Sequence, residues 1–237
     1  MLKACLNGGR GRDEHPAVPV TPADLAADAA RCAGLGAGAV HVHPRDAAGR
    51  ESLHPSVVAA ALDAIRAAVP GLPVGVSTGD WIEPDPAARV AAVRAWTVLP
   101  DFASVNAHEP GAEAVAAALR ERGVGVEAGL WTREAVEAYK GWRVPAGRIL
   151  VECMADDPAV AVADAADILA ALPAPAAGAP PVLLHAEGPA TWPVLAEAVR
   201  RGLHSRIGLE DTLRLPDGEL APGNAELVAA AVAAGAR

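Results

Sequence analysis

Short apolar segments alternate along the whole chain with longer segments in which apolar residues recur at helical spacing. The apolar segments are four or five residues long and nearly continuous, as in parallel strands that are buried on both faces. The pattern predicts eight strands, at residues 2–6, 39–43, 73–77, 102–106, 125–128, 149–153, 182–185 and 206–209. It also predicts eight helices, at about residues 22–35, 55–69, 86 onwards, 112–122, 133–140, 159–172, 190–201 and 225–234.

Eight strand and helix units are the number that closes a barrel of about 250 residues. We therefore predict a single TIM (β/α)8 barrel domain over residues 1–237, with the Pro/Ala/Gly-rich residues 173–181 as a surface loop. The competing architecture, a doubly wound open sheet, usually carries a glycine-rich phosphate loop between its first strand and helix. Residues 7–12 are glycine-rich, but two prolines within residues 14–19 prevent a helix from beginning at once, so a dinucleotide site is disfavoured.

Composition narrows the class of protein further. The 237 residues are 52% hydrophobic and 21% charged, enough apolar side chains to bury a large core, and the formal charge is −9. Without a basic tract, nucleic acid is an improbable partner. The three cysteines, Cys5, Cys32 and Cys153, form no CxxC pair, which argues against a disulfide framework. We expect a cytoplasmic protein, because we find no signal peptide and no apolar stretch of about 18 residues.

Two histidines at the end of the second predicted strand are the strongest candidates for metal ligands. His41 and His43 project to the same face because side chains alternate along a strand. Glu210 follows the eighth strand and can complete a site of two histidines and one carboxylate with open coordination positions. The alternatives are a pair of hydrogen-bonded strand-end histidines, and an acid pair Glu210-Asp211 that begins a helix or binds Arg206.

The carboxyl ends of the other strands supply further polar side chains, because barrel enzymes place their chemistry at that end. Ser77, Ser104 and Asn106 are individually weak signals, since the alternative for each is ordinary loop hydrogen bonding. The candidates are Asn7, Arg10, Arg45, Ser77, Thr78, Ser104, Asn106, Glu127, Glu152, His185, Glu187, Arg206 and Asp211. Of these, His185 is more typical of a satisfied interior histidine than of a ligand.

Several motifs, in order along nearly the whole chain, resemble the β-keto acid cleavage enzymes typified by the 3-keto-5-aminohexanoate cleavage enzyme. The more specific are His41-Val42-His43-Pro44-Arg45-Asp46 and Gly208-Leu209-Glu210-Asp211; the others are Leu6-Asn7-Gly8-Gly9, Ser77-Thr78-Gly79, Ala103-Ser104-Val105-Asn106 and Asn224-Ala225-Glu226-Leu227-Val228. The resemblance implies a TIM barrel with one zinc ion held by His41, His43 and Glu210. It also implies transfer between a β-keto acid and acetyl-CoA to give acetoacetate and a new acyl-CoA, in a homo-oligomer that is commonly tetrameric.

The resemblance assigns a catalytic group to Arg206, Asp211 and, by a less secure alignment, Glu127. Zinc would polarise the keto oxygen while Asp211 removes a proton from the carbon between ketone and carboxylate. Arg206 would orient Asp211. The reaction then needs no nucleophilic serine or cysteine. Donors to the substrate carboxylate are expected among Ser77, Ser104 and Asn106.

The chain departs from the family pattern at three places. Members that act on the cationic amino-keto acid have a glutamate after the first strand, where this chain has Arg10. We therefore expect a substrate with a neutral or anionic tail, unless Arg10 turns to solvent or pairs with Asp13 or Glu14. The sixth strand ends with Glu152 rather than a glycine-rich loop, and the chain is shorter than usual. These changes concern the substrate pocket more than the metal.

Two other classes of protein remain open on the sequence. A metal-dependent hydrolase would use the same ligands to activate water, but amidohydrolase barrels carry HxH on their first strand and a lysine or more histidines on later ones. A barrel that binds a metal or ligand without catalysis would have no need of Asp211 or Arg206. Formation of acetoacetate from acetyl-CoA and a β-keto acid distinguishes these classes from a cleavage enzyme.

Overall fold

The computed structural model describes residues 1–174 and 177–237, and within them parallel strands alternate with helices from end to end. The strands are β1 (Leu2–Cys5), β2 (Ala39–Val42), β3 (Val74–Ser77), β4 (Phe102–Asn106), β5 (Gly125–Leu130), β6 (Arg148–Cys153), β7 (Val182–Ala186) and β8 (Ser205–Ile207). The helices are α1 (Pro22–Gly34), α2 (Pro55–Ala68), α3 (Pro86–Ala95), α4 (Ala112–Glu121), α5 (Arg133–Lys140), α6 (Pro158–Ala171), α7 (Thr191–Arg201) and α8 (Asn224–Ala233).

The strands close into a barrel, which confirms the predicted TIM fold. Sequential strands are neighbours from β1 to β7, and β8 pairs with β1 on its other side. Backbone hydrogen bonds complete the ring, because the amide of Leu184 donates to His204 O at 3.0 Å and the amide of His204 donates to Val182 O at 3.1 Å. The open-sheet alternative is thereby excluded.

Local sequence signals explain where the helices begin. The side chain of Thr21 accepts a hydrogen bond from the amide of Asp24, and the Asp24 carboxylate accepts one from the amide of Thr21, so the two residues form a capping box at the start of α1. Proline occupies the first turn of α1, α2, α3 and α6, where it has no intrahelical partner to lose. The apolar faces of α1, α2 and α3 pack on the outer faces of the strands in the main core, and α6 packs in a second apolar cluster with β5, β6 and β7.

Two strands end two residues away from their predicted ends. β5 continues to Leu130, two residues beyond the predicted end, and β8 stops at Ile207, so Glu210 lies in the turn after the strand. The predicted surface loop at 173–181 includes residues 175 and 176, which lie outside the described residues. Within the described residues, no helix has both the length and the apolar character needed to cross a bilayer.

Candidate metal centre and substrate pocket

The three residues predicted as metal ligands meet at the carboxyl end of the barrel. Nε2 of His41 lies 3.1 Å from Nε2 of His43. Glu210 places Oε1 at 3.9 Å from Nε2 of His41 and Oε2 at 3.7 Å from Nε2 of His43. All three ligand atoms lie within 4.8 Å of one another, and the side chains are almost completely buried.

The donor set of this cluster fits a divalent ion with open coordination positions. Ligand atoms bound to a tetrahedral ion at about 2.0–2.2 Å are roughly 3.4 Å apart, close to the separations of 3.1, 3.7 and 3.9 Å here. Oε2 of Glu210 is buried without a hydrogen-bond partner among the described residues, as expected of an acceptor kept for a ligand. Two histidines and one carboxylate suit zinc, and also iron in some oxygenases.

The two histidines differ in their electrostatic surroundings. Burial holds the pKa of His41 well below its ordinary value, so its imidazole is neutral and has a lone pair for a metal. Burial also acts on His43, but the carboxylates of Glu210 and Glu51 outweigh it and raise the pKa of His43 to about 9. A metal ion bound at this cluster therefore competes with a proton on His43.

Glycines in the loops around the cluster allow close approach of the backbone. Gly8, after β1, has a φ of +52°, and a Cβ atom there would lie 2.6 Å from Cγ of Glu210. At Gly208 a Cβ atom would lie 2.0 Å from the carbonyl oxygen of Cys5. These glycines let the turn after β8 pack against β1 and direct Glu210 toward the histidines.

Arg206 and Asp211 form a buried ion pair beside the candidate ligands. Nη2 of Arg206 lies 2.6 Å from Oδ1 of Asp211 and 3.2 Å from Oε1 of Glu210. Oδ2 of Asp211 has no hydrogen-bond partner within the described part of the chain. Burial raises the pKa of Asp211 to about 7 against the attraction of Arg206. Arg206 thus contacts both the candidate ligand Glu210 and Asp211, and the second carboxylate oxygen of Asp211 has no hydrogen-bond partner in the described residues.

A cavity of about 360 Å³ opens at this end of the barrel and brings the candidate ligands and the predicted substrate residues together. Ser77 and Ser104 are paired in register on β3 and β4, and both line the cavity with Asn106. Nδ2 of Asn106 donates to Oε1 of Glu109 at 2.7 Å, which fixes the amide plane. Arg206 lines the cavity, whereas Asp211 lies fully buried behind the lining.

The charged residues of the cavity wall differ in how far they are already paired. Arg10 lines the cavity, but Nη1 donates to Glu14 at 2.8 Å and Nε donates to the carbonyl oxygen of Glu210 at 3.3 Å. Glu152 and Glu187 also line the cavity, and burial and the neighbouring carboxylates raise the pKa of Glu152 to about 8. Arg10 therefore faces the cavity with part of its charge already balanced by Glu14.

The predicted position of Glu127 at the mouth of the barrel is wrong. Glu127 is the third residue of β5, and its carboxylate binds Nζ of Lys3 at 2.6 Å and the guanidinium of Arg148. Lys3 and Arg148 also lie over the ring of Phe102, 5.3 and 5.9 Å from its centroid. Glu127 is thus part of an ionic cluster inside the barrel and does not line the cavity, because β5 continues two residues beyond the predicted end.

Sequence reasoning missed two residues that contact the candidate ligands. The carboxylate of Glu51 accepts a hydrogen bond from Nδ1 of His43, and Nε1 of Trp81 donates to the same carboxylate at 3.2 Å. Glu51 follows His43 by eight residues and reaches it only because the chain reverses between them. A histidine ligand commonly donates its other ring N–H to a carboxylate, so an acidic residue soon after the HxH motif is the signal that predicts such a partner.

Fold and cavity together define a (β/α)8 barrel with a candidate metal site at the carboxyl ends of its strands. The model of the β-keto acid cleavage enzyme family matches residues 1–237, and the chain therefore belongs to that family. Among solved structures it is similar to ObcA without ligand, at 17% identity and a TM-score of 0.73, with 93% of this chain and 63% of ObcA covered.

Two further structures show the same fold. The ternary complex of ObcA with a C4-CoA adduct and oxalate matches at 17% identity and a TM-score of 0.71 over 90% of this chain and 62% of that one. The N-acetylmannosamine-6-phosphate 2-epimerase of Clostridium perfringens matches at 14% identity and a TM-score of 0.59 over 89% and 87%. The chain thus spans less than two thirds of the length of the ObcA chains.

Proposed function

We propose that this protein is a zinc-dependent acyltransferase that converts a β-keto acid and acetyl-CoA into acetoacetate and a new acyl-CoA. One observation carries the proposal. In this chain, which belongs to the family, the cluster His41, His43 and Glu210 lies next to the pair Arg206 and Asp211. ObcA, which has this fold, has been captured with a CoA adduct, and that supports a CoA substrate here.

The residues of the cavity divide between binding and proton transfer. His41, His43 and Glu210 would hold the ion, which when bound supplies a Lewis acid for the keto oxygen. Ser77 and Ser104 donate hydrogen bonds to the substrate carboxylate, Asn106 adds an amide beside them, and Arg10 borders the same space. All four predicted substrate residues line the cavity, which supports this division.

Asp211 acts as the general base, and Arg206 holds it in place. Arg206 binds Oδ1 and leaves Oδ2 to accept the proton from the carbon between the ketone and the carboxylate. Arg206 also offsets negative charge as the enolate forms. Asp211 is buried behind a cavity lining that includes Arg206 and Glu210, so the proposed proton transfer requires the α-carbon of the substrate to come within reach of Oδ2.

The atoms balance without a protein nucleophile. The α-carbon, freed of its proton, forms a bond to the acetyl carbonyl carbon, and the CoA thiolate leaves. The thiolate then attacks the original ketone, and the bond between that carbon and the α-carbon breaks. The products are the new acyl-CoA and the enolate of acetoacetate, which takes back the proton that Asp211 removed.

The direct test is turnover by the zinc-loaded protein of a panel of β-keto acids with acetyl-CoA. We expect acetoacetate and one new acyl-CoA in equal amounts from at least one substrate. Hydrolysis of acetyl-CoA without acetoacetate would instead support a hydrolase, and no turnover of any substrate would leave a binding protein. The homo-oligomeric state and the cytoplasmic location that we expected from the sequence stay predictions.

A further inference from the structure

Glu51 connects one candidate metal ligand to a tryptophan, yet it has no part in the reaction proposed above. Its Oε1 accepts hydrogen bonds from Nδ1 of His43 and from Nε1 of Trp81. The ring of Trp81 also stacks on the ring of His43, with centroids 6.3 Å apart and planes inclined by 18°. His43 is therefore held at its face and at its Nδ1 edge, while Nε2 faces His41 and Glu210.

A hairpin after β2 brings Glu51 back beside His43. The amide of Asp46 donates to Arg50 O at 2.8 Å, the amide of Ser52 donates to Pro44 O at 2.9 Å, and the Asp46 side chain caps the turn between them. Nη2 of Arg45 donates to the carbonyl oxygens of Gly8 and Arg10, both at 2.7 Å. Arg45 and Asp46 of the HxHxRD motif thus stabilise the hairpin that carries Glu51: Asp46 caps its turn, and Arg45 binds it to the loop after β1.

Trp81 is fixed from the loop after β3. A Cβ atom at Gly79 would lie 2.3 Å from the Trp81 ring, so only glycine leaves room for the indole in this position. Trp81 remains 50% exposed, and its ring is stacked on that of His43. Its indole nitrogen donates to the carboxylate that His43 uses.

His41 has no comparable support. Its Nδ1 is buried without a hydrogen-bond partner in the described residues, whereas Nδ1 of His43 donates to a carboxylate that is itself anchored. A histidine that donates from Nδ1 keeps its lone pair on Nε2, and the carboxylate increases the basicity of that nitrogen. The two histidines of the candidate centre are therefore unequal.

We propose that Glu51, anchored by Trp81, is a positioning residue that fixes His43 with its Nε2 lone pair toward the metal. The inference rests on the metal centre of the proposed function, but zinc binding tests it without any turnover. Carboxylate partners of this kind typically change metal affinity by roughly 10- to 100-fold. The indole N–H of Trp81 acts through Glu51, because it donates to that carboxylate, whereas the ring of Trp81 contacts His43 directly.

Zinc affinity, measured by competition with a chelator at fixed pH, tests the proposal in Glu51→Gln, Trp81→Phe and the double variant. The control is Glu121→Gln, an exposed acid on α4 that pairs with Arg94. We expect Glu51→Gln to weaken zinc binding roughly 10- to 100-fold. Trp81→Phe keeps an aromatic ring but removes one hydrogen-bond donor, so about a fivefold loss is expected.

The double variant gives the sharpest result. If Trp81 acts through Glu51, the double variant binds zinc no more weakly than Glu51→Gln alone. The visible spectrum of the cobalt-substituted protein should change in Glu51→Gln and stay unchanged in Glu121→Gln. If Glu51→Gln does not fold, the affinity and cobalt spectrum of Trp81→Phe decide the question alone.

Zinc affinity that is unchanged in Glu51→Gln, with only the unfolding free energy of the metal-free protein lowered, would overturn the inference and leave the proposed function standing. Additive losses in the double variant would likewise overturn the role of Trp81. If zinc affinity depends on Glu51 but the protein forms no acetoacetate, the inference is supported and the proposed reaction is contradicted. A wild-type protein that binds no divalent metal would overturn both.

Discussion

Arg206 donates to one oxygen of Asp211, at 2.6 Å, and leaves the other oxygen buried without a partner in the described part of the chain. An ion pair that served only stability would gain from a second hydrogen bond, because an unsatisfied buried carboxylate oxygen is costly. The arrangement instead keeps one oxygen available next to the candidate metal ligands. This relationship is the one expected if Asp211 is the general base of the proposed reaction, and it leads to the first prediction.

Asp211→Asn should lower kcat by roughly two to four orders of magnitude, because the amide keeps the shape of the side chain but cannot accept the proton. Zinc content should stay that of the wild type, since Asp211 is not among the ligand atoms of the cluster. Steady-state kinetics with metal analysis measure both quantities. Asp167→Asn, on the exposed face of α6, is the matched control. Near-normal kcat in Asp211→Asn would contradict the assignment of the base.

His41→Ala and His43→Ala should each lose bound zinc and acetoacetate formation together. Two ligands remain in either variant, which is fewer than the three protein ligands of catalytic zinc sites. Metal analysis after dialysis, followed by addition of zinc, measures the loss. His54→Asn is the control, because His54 is exposed and caps α2, a role that asparagine also fills. Wild-type zinc content in folded His41→Ala and His43→Ala would place the metal elsewhere.

Glu127→Gln should act on stability and not on the reaction. Glu127 binds Lys3 and Arg148 inside the barrel, and neutralising it leaves two buried or half-buried cations without their partner. Breaking a buried ion pair from one side typically costs about 3–5 kcal/mol. Denaturant unfolding measures the free energy of unfolding, and kcat of the folded variant should stay within about threefold of the wild type. A large fall in kcat at unchanged stability would restore Glu127 to catalysis.

Arg10→Glu should move substrate preference toward β-keto acids with cationic tails. Arg10 lines the cavity, so reversing its charge favours an ammonium and disfavours a carboxylate, by roughly tenfold in kcat/KM for a partly screened contact. Matched substrates with cationic, neutral and anionic tails measure the change. Glu14→Gln is a useful companion, because it removes the partner of Arg10 and leaves the arginine in place. An unchanged ranking in both variants would mean that Arg10 does not contact the substrate.

The barrel and most of its site followed from local patterns in the sequence. Strand alternation placed His41 and His43 on one face, and the closure of β8 on β1 brought Glu210 to them. Glu210 arrives there by a different route, however, because β8 ends at Ile207 and a turn, not the strand, carries the carboxylate. The predicted contact therefore followed from the order of the strands, which places the end of β8 beside β1 and near β2.

The misplaced and missed residues have physical reasons in common. The sequence pattern predicts an end for β5 that is two residues too early, because Ala128 and Gly129 have low strand propensity. Pairing with β4 and β6 extends the strand to Leu130. Glu51 reaches His43 only because a hairpin reverses the chain. Pairing between strands and hairpin geometry depend on distant partners, which a single sequence does not display.

Isotope labelling tests the proposed reaction most directly. The zinc-loaded protein is incubated with acetyl-CoA that carries carbon-13 in both acetyl carbons and with an unlabelled β-keto acid that it turns over, and the acetoacetate is examined by NMR. Carbon–carbon bond formation between the two substrates predicts label at C3 and C4 of acetoacetate, none at C1 and C2, and an unlabelled acyl group on the new acyl-CoA. Label that appears only in free acetate, with no labelled acetoacetate, would contradict the proposed acyl transfer and indicate thioester hydrolysis.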